Sequence, residues 1–202
     1  MNEYLLKDIR TKLLKFSGKQ ISKDELDNIK NFSINNYTYS GVLKGINLNE
    51  LENLPNLESL TLQHFQISDQ EIKALENLRS LKDLFFSECS FNAKEFYEFP
   101  NLSSIEFDIC NYYYFPKIKL PKIVYINYAE NGLNLKDFYN FENIEDLTML
   151  NVKKITGFNF ISQMRNLKNL NIDGSKVDDK NALKELADRI PVSHNATSNP
   201  II

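Results

Sequence analysis

The sequence has little of what chemistry usually requires. Two cysteines in 202 residues form no disulfide framework. Neither of the two histidines, His64 and His194, has a Cys or Asp nearby in the chain at catalytic or metal-ligand spacing. The six glycines make no GxGxxG or GxxxxGK pattern, so the phosphate-cradling loops are excluded. No run approaches the ~18 apolar residues that a membrane span needs, and no membrane contact is expected. An excess of one charge is missing as well. The 27 acidic and 24 basic side chains leave a net charge of −3, and the pI is near 5.5. That balance argues against a nucleic-acid binder that relies on bulk charge. In the opening MNEYLLKDIRTKLLKF, charges interrupt every apolar pair, so it has no signal-peptide core and the expected location is cytoplasmic. The expectation is a non-enzyme without cofactor or metal.

What is present is a soluble composition, 42% hydrophobic and 25% charged, long enough to bury a real core. Asparagine is unusually abundant, at 26 residues. An internal repeat is also present. From Leu57 the chain reads LESLTLQHFQI, from Leu81 LKDLFFSECSF, from Leu102 LSSIEFDICNY, and from Ile123 IVYINYAENGL. Ile144 opens IEDLTMLNVKK, Leu167 opens LKNLNIDGSKV, and Ile29 opens a degenerate IKNFSINNYTY. Apolar residues recur at positions 1, 4, 6 and 11. The spacings between unit starts are 28, 24, 21, 21, 21 and 23 residues.

This pattern resembles the leucine-rich repeat, LxxLxLxxN/CxL at 20 to 29 residues, and the short period is similar to bacterial, internalin-type repeats. The resemblance covers roughly residues 22 to 178. The chain departs from it by using Phe, Tyr and Ile in place of Leu. It also departs in having one Asn at position 9, Asn131, where the other units carry Tyr37, Phe65, Cys89, Cys110, Val152 and Ser175. The resemblance implies an α/β solenoid of about seven repeats with a parallel concave sheet and a protein partner. No unit buries its apolar set alone, so neighbours must stack.

Four segments are expected: an N-terminal helical cap over 1–21, repeats over 22–177, a helical cap over 178–191, and a flexible tail over 192–202. Residues 3 to 16 read as an amphipathic helix. Ser22 with Glu25, and Ser68 with Glu71, read as capping boxes. The 21-residue units leave room for a turn or a 3₁₀ segment. Asn111 to Phe115 is read as convex packing, with an exposed adhesive patch as the alternative. Cys89 and Cys110 are expected close together as buried free thiols.

On the concave face, positions 3, 5, 7 and 8 collect seven carboxylates (Asp83, Glu88, Glu106, Asp108, Glu130, Asp146 and Asp173) and no lysine or arginine. Phe85, Tyr125 and Leu150 stand among them. Aromatic anchors in a charged field describe a protein-binding surface, and the acidity selects a basic partner. The residues expected to carry binding are Asp83, Phe85, Glu88, Glu106, Asp108, Tyr125, Asn127, Glu130, Asp146 and Leu150. The expected function is an intracellular stoichiometric inhibitor or immunity-type protein, monomeric when free, that neutralises a basic protein such as a toxin. The alternatives are a scaffold or signalling adaptor binding a peptide or helix, and an internalin-like surface protein.

Overall fold

The computed structural model describes Lys7 and residues 21–38, 41–42, 47–139 and 141–195. The helix expected over 3–16, apart from Lys7, and the last seven residues, 196–202, lie outside that set. Eight strands follow one another in chain order in a single sheet: β1 (Asn31–Asn35), β2 (Ser59–Gln63), β3 (Asp83–Ser87), β4 (Ser104–Asp108), β5 (Ile123–Asn127), β6 (Asp146–Leu150), β7 (Asn169–Asn171) and β8 (Val192–Ser193). Every neighbouring pair is parallel. This is a leucine-rich-repeat solenoid.

The strands form because apolar residues alternate with polar ones, which places every second side chain on the same face. The inward pairs are Phe32/Ile34, Leu60/Leu62, Leu84/Phe86, Ile105/Phe107, Val124/Ile126, Leu147/Met149 and Leu170/Ile172, none more than 2% exposed. Each such side chain contributes about 1.5–3 kcal/mol through burial. The chain leaves each of strands β2 to β7 through a residue in the left-handed region, at His64, Glu88, Ile109, Tyr128, Asn151 and Gly174. There the N–H donates to the carbonyl at the end of the next strand, as from His64 to Ser87, Glu88 to Asp108 and Ile109 to Asn127. Position 9 then turns inward. Ser175 Oγ donates to the Met149 carbonyl at 2.7 Å and accepts from the Val152 N–H at 2.9 Å. The thiols of Cys89 and Cys110 take the same place and donate to Leu62 and Phe86 carbonyls. Both are free and buried. The Cys110 thiol is pushed up by its hydrogen bond with Cys89 and by burial.

The left-handed column corrects the register of one repeat. The reading that opens a unit at Ile123 puts Tyr128 at position 6 and Asn131 at position 9. In the structure Ile123 pairs with Ser104 and Asp146, both position 3, so the unit opens at the buried Pro121 and position 9 is Ala129, 2% exposed. The unit spacings around it therefore become 19 and 23 residues. Ile155, at 0% exposure, fills the core place that the pattern assigned to Lys154.

The return segments vary with the room available. Helices α1 (Lys23–Asp27) and α2 (Asp69–Glu76) both start on the expected capping boxes. The longer returns carry 3₁₀ turns at Leu48–Asn53, Leu135–Asp137, Phe141–Asn143 and Phe158–Gln163. The two shortest, around β4, carry no 3₁₀ segment but two-residue parallel ladders, and the first adds a turn at Pro100–Asn101. Ser90–Phe91 pairs with Gln66–Ile67 and Asn111–Tyr112, and Phe96–Tyr97 with Lys117–Ile118. Aromatic rings fill this stretch of core. Phe107 packs on Phe86 at 5.6 Å, on Phe91 at 5.4 Å and on Phe115 at 5.4 Å between centroids, and Phe115 stacks on Phe138 at 4.6 Å. Large flat side chains supply the volume that short returns do not, which explains why Phe stands where Leu is usual.

The C-terminal helix α3 is Lys180–Ala187, capped by Asp179, whose carboxylate accepts from the Asn181 and Ala182 N–H groups at 3.0 Å. The start of the expected loose tail is instead ordered. Val192–Ser193 form β8, and Asp173 accepts from Ser193 Oγ at 2.8 Å and Asn195 N–H at 2.5 Å. The uncovered edge of β7 gains a partner in this way.

Candidate protein-binding face

Just ahead of the strands, position 2 forms a charged row. Glu58 bridges Lys30 and Lys82 at 2.9 and 2.7 Å, and Glu145 bridges Lys122 and Lys168 at 2.9 and 2.5 Å. Hydrogen bonds and charge from these lysines hold both carboxyl groups down at about 2. All the lysines of this row stay at the sheet's border. The strands themselves present none to solvent.

The outward face of the sheet is different. With the register corrected, its columns hold Asp83, Glu88, Glu106, Asp108, Asp146 and Asp173, and no lysine or arginine. The side-chain donors to Asp83, Asp108 and Asp146 are neutral. Ser104 Oγ donates to Asp83 at 2.5 Å, Asn127 Nδ2 to Asp108 at 2.8 Å, and Asn169 Nδ2 to Asp146. Asn151 Nδ2 in turn donates to Asn127 Oδ1 at 3.0 Å. These donors orient the acids and leave their charge in place. Much of the abundant asparagine is spent here and on similar side-chain bonds to backbone carbonyls in the returns, at Asn56, Asn101 and Asn166.

The centre of the face is a row of three. Phe85 on β3, Glu106 on β4 and Tyr125 on β5 are direct register neighbours, all half-buried. Among the described residues no hydrogen-bond donor reaches Glu106. Burial raises its pKa, and the nearby Asp108 charge adds to that. Tyr125 is raised by burial and then by Glu106 and Asp108. A carboxylate flanked by two aromatic residues, with a second carboxylate two residues on, suits a cation. Ring faces and carboxylates both attract a lysine or arginine head group.

The sign of the Glu106 shift gives a test. Its folded pKa lies above the unfolded value, so its contribution to stability is present below the ordinary Glu range and is lost as pH rises through the raised value. Glu106→Gln should therefore raise Tm at pH 7 and leave it nearly unchanged near pH 3. Thermal melts of both chains at the two pH values check this.

Two apolar residues border the central row. Ile109 is 46% exposed and Ile123 is 48% exposed. Ile109 also holds φ at 52°, a conformation that costs a non-glycine residue roughly 1–2 kcal/mol and is a genuine outlier for a β-branched side chain. Ile109→Asn, matching Asn151 in the same column, should raise Tm by about 2–4 °C and weaken partner binding. Calorimetry and a binding isotherm on the same protein separate the two effects.

Asp83, Phe85, Glu106, Asp108, Tyr125, Asn127, Asp146 and Leu150 stand on the outward face of the strands, and Glu88 sits at their C-terminal edge, 3.7 Å from His64 Nδ1. Glu130 does not join them. The two-residue register correction carries it past the strand end, where it accepts from Tyr128 Oη at 3.4 Å. The same shift brings in Ile123 and Tyr128, which the repeat pattern had placed elsewhere. Among the described residues, no group of three or more His, Cys, Asp or Glu is arranged to hold a metal ion. No helix among them is long and apolar enough to cross a membrane.

The sequence matches no protein-family model and no curated protein. The fold is similar to internalin C2 of Listeria monocytogenes, with a TM-score of 0.56 and 16% identity over 96% of this chain and 93% of that one. A second internalin of the same organism, internalin F, aligns at a TM-score of 0.36 and 17% identity over 96% of this chain and 75% of that one.

Proposed function

We propose that this leucine-rich-repeat solenoid is a non-catalytic protein-binding module that takes a basic partner on its concave face, and that it acts as an intracellular stoichiometric inhibitor of the immunity type. The observation that carries the reading is the row Phe85–Glu106–Tyr125, with Asp108 beside it. Neutral donors hold the surrounding acids in place, so a docking lysine or arginine displaces no internal ion pair. Desolvating Glu106 has already been paid for by folding, and an incoming cation lowers its pKa back towards the ordinary range. Asp83 lies on the same strand as Phe85 and Asp146 one strand beyond Tyr125, and both extend the acidic field that steers association. Ile109, Ile123 and Leu150 supply apolar contact around the row. A basic toxin-like protein whose active cleft normally meets phosphate fits this chemistry, because carboxylates in fixed positions mimic phosphate charge.

The test is capture of the partner from a lysate of the source cell on the immobilised chain, eluted first at low and then at high salt. One basic protein at one-to-one stoichiometry, released by salt and not captured when Glu106 and Asp108 are reversed to lysine, is the expected result. Several partners indifferent to salt would instead support an adaptor for peptides or helices.

A further inference from the structure

Among the described residues six large apolar side chains are exposed, and they fall in two places. Ile109 and Ile123 border the acidic face. The other four, Phe96, Tyr113, Tyr114 and Tyr139, lie in the return segments, at 39%, 84%, 54% and 47% exposure. They surround or adjoin a groove of about 490 Å³, whose walls include Tyr113, Tyr114 and Tyr139 and the lysines Lys117, Lys136 and Lys154, with Asp137 as the one carboxylate among the described lining residues. That volume is within the range of ligand sites.

The charge here is opposite to that of the sheet. Lys136 lies over the Phe160 ring at 5.3 Å, and Lys94 over the Tyr114 ring at 5.3 Å. Neither contact neutralises a lysine. Lys117 and Lys154 have no salt bridge among the described residues. We infer that this groove is a second docking surface and that its occupant is an acidic peptide segment of a partner protein, with an apolar side chain among the tyrosines and carboxylates on Lys117, Lys136 and Lys154. The geometry favours a peptide over a nucleic-acid strand. Phe96 and Tyr139 are already packed on each other at 4.3 Å, and one face of Tyr114 is covered by Lys94, so no run of open rings is available for successive bases to stack on. The lysines also ring a single cavity and do not follow a track. The inference is independent of the concave-face reading, since none of these residues lies on the outward face of the sheet.

The experiment uses fluorescence polarisation with a labelled peptide of about twelve residues that alternates Glu with Phe and Leu, the full chain as titrant, and a matched Lys peptide, oligo-dT and anionic phospholipid vesicles as the other probes. The expected result is saturable binding of the acidic peptide, weakened about tenfold or more by Lys117→Glu with Lys154→Glu, weakened also by Tyr113→Ala, and unchanged when Glu106 and Asp108 are reversed. Tyr113 is so exposed that its removal should leave the melt of the protein unaltered, which separates lost contact from lost fold. Preference for oligo-dT, for vesicles or for the Lys peptide overturns the inference. So does acidic-peptide binding that ignores the groove variants, or a concentration-dependent self-association that those variants abolish.

Discussion

Reversing Glu106 and Asp108 to lysine together should weaken capture of the basic partner at least a hundredfold, about 3 kcal/mol. Most of the loss should appear in the association rate. Two carboxylates on one strand, two residues apart, contribute to the field that a basic surface meets during approach. Their replacement puts two like charges opposite it. Glu106→Lys also fills the space between Phe85 and Tyr125 with the cation the partner is meant to supply. The fold should tolerate the change, because Glu106 accepts no hydrogen bond from a described residue and its charge is held at a cost. Asp108 loses only the 2.8 Å bond from Asn127. Surface plasmon resonance at two salt concentrations reads the effect, and a thermal melt confirms that the variant is folded.

Phe107→Ala should be the most damaging single change to stability. The side chain is fully buried and touches Phe86, Phe91, Tyr112 and Phe115. Truncating a buried Phe costs about 3–5 kcal/mol, and for a chain of this length each kcal/mol lowers Tm by about 2–4 °C. A fall of roughly 6–20 °C follows. The damage should spread along the chain, because each repeat of a solenoid is held by its neighbours and Phe107 packs on Phe86 and Phe91 of the preceding unit and on Phe115, which stacks on Phe138 of the next. Hydrogen exchange should show the amides of β3, β4 and β5 opening together, while those of β1 and β7 change less.

The strands and their faces were readable from residue order because strand alternation has a period of two and every unit repeats it. The same periodicity produced the error at Ile123. The string IVYINY satisfies LxxLxL as well as the true alignment does, and Asn131-Gly132 resembles the position 9 asparagine with its turn. A slip of two residues preserves face parity, so Tyr125 and Asn127 stayed on the outward face. Glu130 and Ala129 did not, and Ile123 and Tyr128 were overlooked. A signal was present in the proline and lysine at 121–122, which parallel the leucine and serine at 102–103, but Pro121 does not look like a leucine. Glu106 was legible as a charged position. Its place between Phe85 and Tyr125 was legible only once the neighbouring units were aligned correctly, since the row joins three repeats. The lysine-lined groove was not legible at all: Phe96 and Tyr139 meet across repeats, and nothing local in the chain brings Lys117 and Lys154 to one cavity. The strand at Val192–Ser193 was missed because two residues are too few to show a period.

The most direct test of the central claim is a hydroxyl-radical footprint of the chain with its captured basic partner bound. Protection of Phe85, Tyr125, Ile109, Ile123 and Leu150, with Tyr113 and Tyr139 still labelled, is the result expected from a partner seated on the acidic face. Unchanged labelling of Phe85 and Tyr125, with protection confined to the return segments, would contradict it.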